Sequence, residues 1–229
     1  MNGKVHRFEE VTSTQDVARR LLAEGRVRSG DVVVADEQTA GRGRFGRIWR
    51  SPIGGLYATF ILRSSPLIPV RAGVSIVAAL DRFGLGAKLK WPNDIVIGRA
   101  KLGGVIVETV DEVALVGVGI NLYGSPLPTS TCASVHGVEI DRDSLLEAIS
   151  EELWIERGHD ELLDAYRARS ATLGLRVSIS RGPRTEALVG IARGIDEQGR
   201  LLVETPGGVH PIAFGECFHL SRLPRDASE

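Results

Sequence analysis

The chain has 229 residues, 43% hydrophobic and 25% charged, which is enough for one large or two unequal globular cores. A formal net charge of −1 excludes a global field drawing it to nucleic acid or a membrane surface, so any anion binding has to be local. Cys132 and Cys217 stand far apart with no CxxC and no histidines at metal spacing, the first residues carry no apolar signal core, and no run of about 18 apolar residues exists; this argues against structural zinc, a disulfide framework, secretion and a membrane span, and for a reducing cytoplasm.

Val5 to Phe8 reads as a short first strand. Thr12-Ser13-Thr14-Gln15-Asp16 then leads into Val17, Ala18, Leu21 and Leu22 at helical spacing, so a helix starts here with a hydroxyl capping its free N–H groups. Capping alone would account for these hydroxyls, but a helix N-terminus with two free ones can also hydrogen-bond a small polar ligand.

Gly25 and Ser29-Gly30 mark a turn, after which Asp31 to Asp36 forms a buried strand that delivers Glu37 and Gln38 to the most pointed stretch of the chain, Gln38 to Arg50. It holds Gly41, Gly43, Gly46, four arginines (Arg42, Arg44, Arg47, Arg50) and Trp49. Glycine admits close backbone approach to a ligand, and guanidinium forks grip carboxylate or phosphate in bidentate fashion. No Asp or Glu occurs from Gln38 through Leu80, so the six arginines there need an acid from elsewhere or an anionic ligand. Gly41-x-Gly43-x-x-Gly46 fails as a dinucleotide fingerprint because Ser51-Pro52 and Gly54-Gly55 forbid the required helix, and Arg47-Ile48 stand where a P-loop needs Lys and Ser or Thr. The plain alternative is a solvated arginine loop.

Leu56 to Leu62 is β-rich and expected to pair with the preceding strand, and Arg71 to Phe83 has helical periodicity ending at Gly84. Lys90-Trp91-Pro92-Asn93-Asp94 forms a second chemical cluster, by default a turn, because Pro fixes φ and Asn and Asp tolerate turn geometry. Beyond the strand Ile95 to Ile97, Lys101-Leu102-Gly103-Gly104 enters Val105 to Glu108, a strand that can aim the ammonium into the mouth of a sheet while its glycines admit a ligand. Val113 to Ile120 is a buried strand with two glycines, followed by Asn121. Tyr123 to His136 is irregular, and Asp143 to Arg169 reads as a long helix or a pair interrupted near Gly158, its acids forming a solvated face. From Ala171 the segments Leu175 to Ser180, Ala187 to Arg193, Leu201 to Glu204 and Val209 to Phe214, joined by Arg181-Gly-Pro183, Asp196 to Gly199 and Thr205 to Gly208, suggest a small antiparallel barrel and a domain boundary near residue 172. The expected class is α+β, with residues 1–172 as a mixed sheet flanked by helices and 173–229 as the barrel.

The ordered motifs Ser13-Thr14-Gln15, Gln38-x-Ala-Gly-Arg-Gly-Arg-x-Gly-Arg47-x-Trp49, Lys90-Trp-Pro-Asn-Asp94, Lys101-Leu-Gly-Gly104 and Gly117-Val-Gly-Ile-Asn121 resemble those of the biotin protein ligases over residues 5 to 220. The resemblance implies a class II synthetase-like catalytic domain with an SH3-like barrel, and an enzyme that adenylates biotin with ATP and passes it to a lysine of a biotin carboxyl carrier protein. It implies that Ser13, Thr14, Gln38 and the Gly103-Gly104 backbone hold the ureido ring and bicycle, and that Arg42 and Lys101 meet the carboxylate and α-phosphate. Gly43, Arg44, Arg47, Asn93 and Asn121 would bind the nucleotide and Trp49 would stack on adenine, unless Trp49 is simply core beside Ile48 and Ile53. Mg²⁺ would bridge phosphates with no protein ligand assigned, Asp94 would orient or deprotonate the acceptor amine, and the protein would be a homodimer.

Relatives that also repress transcription carry a winged helix-turn-helix before the first strand; this chain starts at that strand, so no DNA binding is expected. Two alternatives remain. A lipoate ligase would use the same adenylate chemistry without needing the Ser13, Thr14 and Gln38 constellation, and a nucleic-acid-binding module would use the arginine loop against near-neutral overall charge.

Overall fold

A computed structural model describes residues 3–182 and 185–220. The expected turn at Pro183 and the end of the second domain, 221–229, lie outside the described residues.

The first part of the chain runs β1 (Val5–Val11), α1 (Thr14–Ala23), β2 (Val32–Gln38), β3 (Gly55–Arg63), α2 (Ile68–Asp81), β4 (Lys88–Lys90), β5 (Asp94–Ile97), β6 (Ala100–Val110), β7 (Val113–Asn121), α3 (Arg142–Trp154) and α4 (His159–Arg169). Its seven strands form one mixed sheet in the order β1-β2-β3-β7-β6-β5-β4, with β1 and β2 parallel and the other pairs antiparallel. Ser13 is extended and its hydroxyl accepts the Gln15 N–H, which starts α1 where the sequence places a cap. The helix pair also parts as expected: α4 begins after Gly158, whose N–H donates to the Glu161 carboxylate at 3.3 Å. α2 starts three residues before the expected Arg71, because Pro69 suits a first helical turn.

Strand alternation sorts the core into two faces. Val32, Val34, Phe60 and Leu62 point towards α2 and α3, while Val33, Ala35, Ile61 and Leu115 point to the other side, where Ala18 and Leu21 of α1 cover them. α1 covers only the β2, β3 and β7 end of that second face. On the uncovered remainder the facing positions in register are Gly104 opposite Gly119 and Ile106 opposite Gly117, so three glycines leave the sheet nearly bare. This strip positions the site.

The second part runs β8 (Arg176–Ser180), β9 (Leu188–Ile195), β10 (Leu201–Thr205), β11 (Gly208–Ile212) and β12 (Glu216–His219), an antiparallel sheet in the order β11-β10-β9-β8-β12, as an SH3-like domain requires. The expected strand ending at Phe214 stops at Ile212, and a fifth strand follows it. Val177, Ile179, Ala192 and Leu201 pack into the same hydrophobic cluster as Leu89 and Tyr166. Arg167 Nη2 also donates to the Ile195 carbonyl at 2.8 Å, so the small sheet is fastened to the large one.

Candidate active site

A cavity of about 330 Å³ opens over the glycine strip. Its floor is the bare backbone of β6 and β7, one wall is the start of α1, the opposite wall is the turn Trp91 to Asp94, and the segment Arg42 to Trp49 roofs it. Glu216, Cys217 and Phe218 of β12 close the far rim.

The wall at α1 is polar and ordered by hydrogen bonds. Gln38 Oε1 accepts from the Thr14 N–H at 2.8 Å and from its hydroxyl at 3.2 Å, and Thr59 Oγ1 reaches Thr14 Oγ1 and Gln15 Oε1 at 3.0 and 3.1 Å. Ser13, Thr14 and Gln15 are all buried. Gln15 was not among the expected site residues although it stands in the Ser-Thr-Gln motif. Its amide is tied to the Leu115 carbonyl at 3.1 Å, and a Cβ at Gly117 would come within 2.6 Å of its Oε1.

Lys101 enters from the opposite side, and a local irregularity puts it there. Ile95 pairs with Gly103 but Val96 pairs with Lys101, so Leu102 is an extra residue in β6. With strict alternation from Gly104 the Lys101 side chain would point into the α2 core; the bulge sends Leu102 there, fully buried, and turns Lys101 to the cavity. Its Nζ lies 2.5 Å from Asp94 Oδ1 and 5.3 Å from the centre of the Trp49 ring, and Lys90 Nζ stands 3.7 Å from Asp94 Oδ2. Asp94 therefore bridges two ammonium groups.

The arginines find their acids far along the chain. Arg42 pairs with Asp16 and lies 3.9 Å from Glu108, and Arg47 pairs with Glu216 at 2.5 Å. Arg44 donates to Asn93 Oδ1 at 3.1 Å and to the Gly215 carbonyl at 3.2 Å. Burial, with Arg47 beside it, lowers the Arg44 pKa from the usual guanidinium value, so its charge is held at a cost that an anion would relieve. Between them Phe45 adopts a left-handed φ of 56°, uncommon for a non-glycine residue, with the Arg44 guanidinium 4.8 Å over its ring. Burial pushes the Cys217 thiol up to about 12, so the rim beside Lys90 is neutral there.

The cavity gathers Ser13, Thr14, Gln38, Arg42, Gly43, Arg44, Arg47, Trp49, Asn93, Asp94, Lys101 and Gly104. Two expected residues are not part of its lining. Gly103 faces the other side by strand alternation, where a Cβ would meet Ile120 at 2.4 Å, and Asn121 is buried with its Nδ2 donating to the Thr131 carbonyl at 3.0 Å. Trp49 is half-buried between exposed Ile48 and Ile53, its indole lies on Gly119, and its Nε1 is buried without a partner. Among the described residues no cluster of three His, Cys, Asp or Glu could hold a metal ion, and no helix is long and apolar enough to cross a membrane.

Residues 7–124 match the Biotin/lipoate A/B protein ligase family and residues 172–220 match the Biotin protein ligase C terminal domain. A biotin–[acetyl-CoA-carboxylase] ligase of Mycobacterium tuberculosis is 33% identical over 220 residues, covering 86% of this chain and 82% of that protein. The chain belongs to the biotin protein ligase family. A second ligase of that name, from Paracoccus denitrificans, is 32% identical over 81% of this chain and 89% of its own. The solved structure of a biotin protein ligase from Aquifex aeolicus in complex with biotin and ATP superposes with a TM-score of 0.79 at 32% identity, covering 94% of this chain and 97% of that one. In this ligase both matched segments build the cavity: the first carries the polar wall, the arginines and Lys101, and the second brings Glu216 to Phe218 to the rim.

Proposed function

We propose that the cavity binds biotin and ATP, joins them as biotinyl-5'-AMP, and passes the biotinyl group to a lysine of a biotin carboxyl carrier protein. The observation that carries this reading is the division of one cavity into a hydrogen-bonding wall (Ser13, Thr14, Gln38) and a cationic half (Arg42, Arg44, Arg47, Lys101). A ureido bicycle needs the first. Two anions that must meet need the second, because fixed positive charge in a water-poor site stabilises the charge that develops as they react.

In the first step a biotin carboxylate oxygen attacks the α-phosphorus and pyrophosphate leaves; the reading assigns Lys101 and Arg42 to the forming bond, and Arg44 and Arg47 to the departing pyrophosphate. In the second step the acceptor amine attacks the acyl carbon, AMP leaves, and the amine sheds a proton. A lysine with an ordinary pKa of about 10.4 is neutral in only about one molecule in two thousand at pH 7, so the proton must be taken up. Both Asp94 oxygens face ammonium groups, which favours an orienting role for Asp94, holding Lys101, over that of base, so the reading sends the proton to solvent water at the open mouth of the cavity. The described residues offer no acidic cluster for magnesium, so the reading leaves the ion to the nucleotide's own phosphates and routes no step through it. Trp49 is assigned to the purine.

The reading extends to a division near residue 172 and a cytoplasmic homodimer, and to no repressor activity, for which the net charge of −1 gives support. Biotin-dependent exchange of labelled pyrophosphate into ATP tests the chemistry. Exchange with biotin and none with lipoate is expected; exchange driven by lipoate instead would overturn the substrate assignment.

A further inference from the structure

The arginine loop is closed at its base by one residue pair. The Gln38 N–H donates to the Ser51 carbonyl at 3.1 Å, and the Gln38 Nε2 donates to the Ser51 hydroxyl at 2.7 Å. One step inside, the Trp49 N–H donates to the Gly41 carbonyl at 2.9 Å. Ser51 is 4% exposed and is not among the residues that line the cavity.

These bonds have a direction. The Thr14 backbone N–H can only donate, so the Gln38 atom facing it must be Oε1, and the Gln38 amide nitrogen must face Ser51. Ser51 Oγ accepts that N–H and donates its own proton to the Trp49 carbonyl at 3.3 Å. A chain of polar bonds thus runs from Thr14 through Gln38 and Ser51 to the backbone of Trp49. Gly41 fits against it so closely that a Cβ there would lie 2.5 Å from the Trp49 oxygen, 2.7 Å from Ser51 Oγ and 3.0 Å from Gln38 Nε2. With one Gln38 N–H spent on Ser51, its orientation fixes the second.

We propose that Ser51 is a positioning residue of the ligase: it locks the Gln38 amide so that its remaining N–H is presented to the biotin bicycle, and it ties that amide to the loop carrying Trp49 and the arginines. Without the Ser51 hydroxyl the Gln38 amide keeps only its anchor at Thr14 and loses the acceptor that holds its nitrogen side. Binding at the polar wall and closure of the loop then lose their common joint.

This inference rests on the reading that the polar wall receives biotin, and the experiment keeps the two apart. Biotin affinity is measured by calorimetry for wild type, Ser51→Ala, Gln38→Ala and the double variant, with thermal unfolding of each. Ser51→Ala removes a single oxygen; Ser51→Cys, which fills the space with a somewhat larger but weak acceptor, is the second variant. The expected result is a biotin dissociation constant raised about tenfold by Ser51→Ala, the order of one lost hydrogen bond, raised in the same direction by Ser51→Cys, and not raised further when Ser51→Ala is added to Gln38→Ala. Strict additivity of the two substitutions, or a folded Ser51→Ala or Ser51→Cys protein that binds biotin within about twofold of wild type, would overturn it, because residues acting through one another do not add. If wild type itself fails to bind biotin, it is the substrate assignment that falls.

Discussion

Lys101 and Asp94 hold each other at 2.5 Å across the mouth of the cavity, the ammonium on β6 and the carboxylate at the start of β5. The pair leaves Lys101 placed before any ligand arrives, with Asp94 held in turn by Lys90. A cation fixed in advance costs no reorganisation at the moment charge develops, which is where its benefit to rate lies. Lys101→Ala is therefore expected to bind biotin within about tenfold of wild type and to lose adenylation by about a hundredfold or more. Pyrophosphate exchange and calorimetry read the two; equal losses in both would reduce Lys101 to a binding residue.

Trp49→Ala is expected to raise the ATP constant about five- to hundredfold, since base stacking on an aromatic face contributes about 1–3 kcal/mol, while biotin affinity moves less than about threefold. The neighbours that would make Trp49 a core residue do not: Ile48 is 82% exposed and Ile53 73%. A core tryptophan would instead cost about 3–5 kcal/mol of stability on truncation and depress both ligands together, so a large fall in melting temperature would refute the stacking role.

Of the three arginines at the roof, Arg42 is balanced by Asp16 and Glu108 and Arg47 by Glu216, acids drawn from α1, β6 and β12, while Arg44 donates to Asn93 and the Gly215 carbonyl. Biotinyl-adenylate, bringing a phosphate among them, is expected to slow tryptic cleavage after Arg42, Arg44 and Arg47 relative to the free protein. An unchanged cleavage rate would mean that the ligand makes no contact that orders this loop.

Asp31 allows a prediction about stability. Burial by itself would raise its pKa, but the backbone N–H groups of Lys4 and Arg28, at 2.8 and 3.1 Å, together with His6, hold it below the usual 3.8. A carboxylate depressed on folding stabilises the protein above its unfolded pKa, and that stability is lost as pH falls through the folded value. Asp31→Asn should lower stability by about 1–3 kcal/mol at pH 7, and the gap to wild type should narrow below about pH 4. Melting curves of both proteins from pH 7 to 3 check it; a gap constant with pH would show that the charge is not what matters.

The regular elements were legible because their signals are local. Ser13 before Val17 and Leu21 announces α1, and the apolar runs of β3 and β7 need no partner to be recognised. β4 was not, since Lys88-Leu-Lys90 has one apolar residue and becomes a strand only because β5 pairs with it. The polar wall and the cations could be gathered from motifs, yet their counter-charges could not, because Asp16, Glu108 and Glu216 meet the arginines only through tertiary contact. Gly103 and Gly104 read alike in sequence, and pairing alone separates the one turned away from the site from the one within it. Ser51 carries no motif at all and is visible only as the partner of Gln38.

The floor of this cavity is deep because atoms are missing from it, and that makes its width editable. An alanine methyl at Gly119 would press on the indole at 2.5 Å and one at Gly117 on Gln15 and Ile106 at 2.6 and 2.8 Å, so neither position has slack. At Gly104 the nearest atoms are the Asn93 carbonyl and the Lys101 Cε, both at 3.5 Å, an ordinary contact. An engineer wishing to narrow the pocket towards a trimmed substrate analogue has one tolerant handle on the strip, and should turn it before touching the other two.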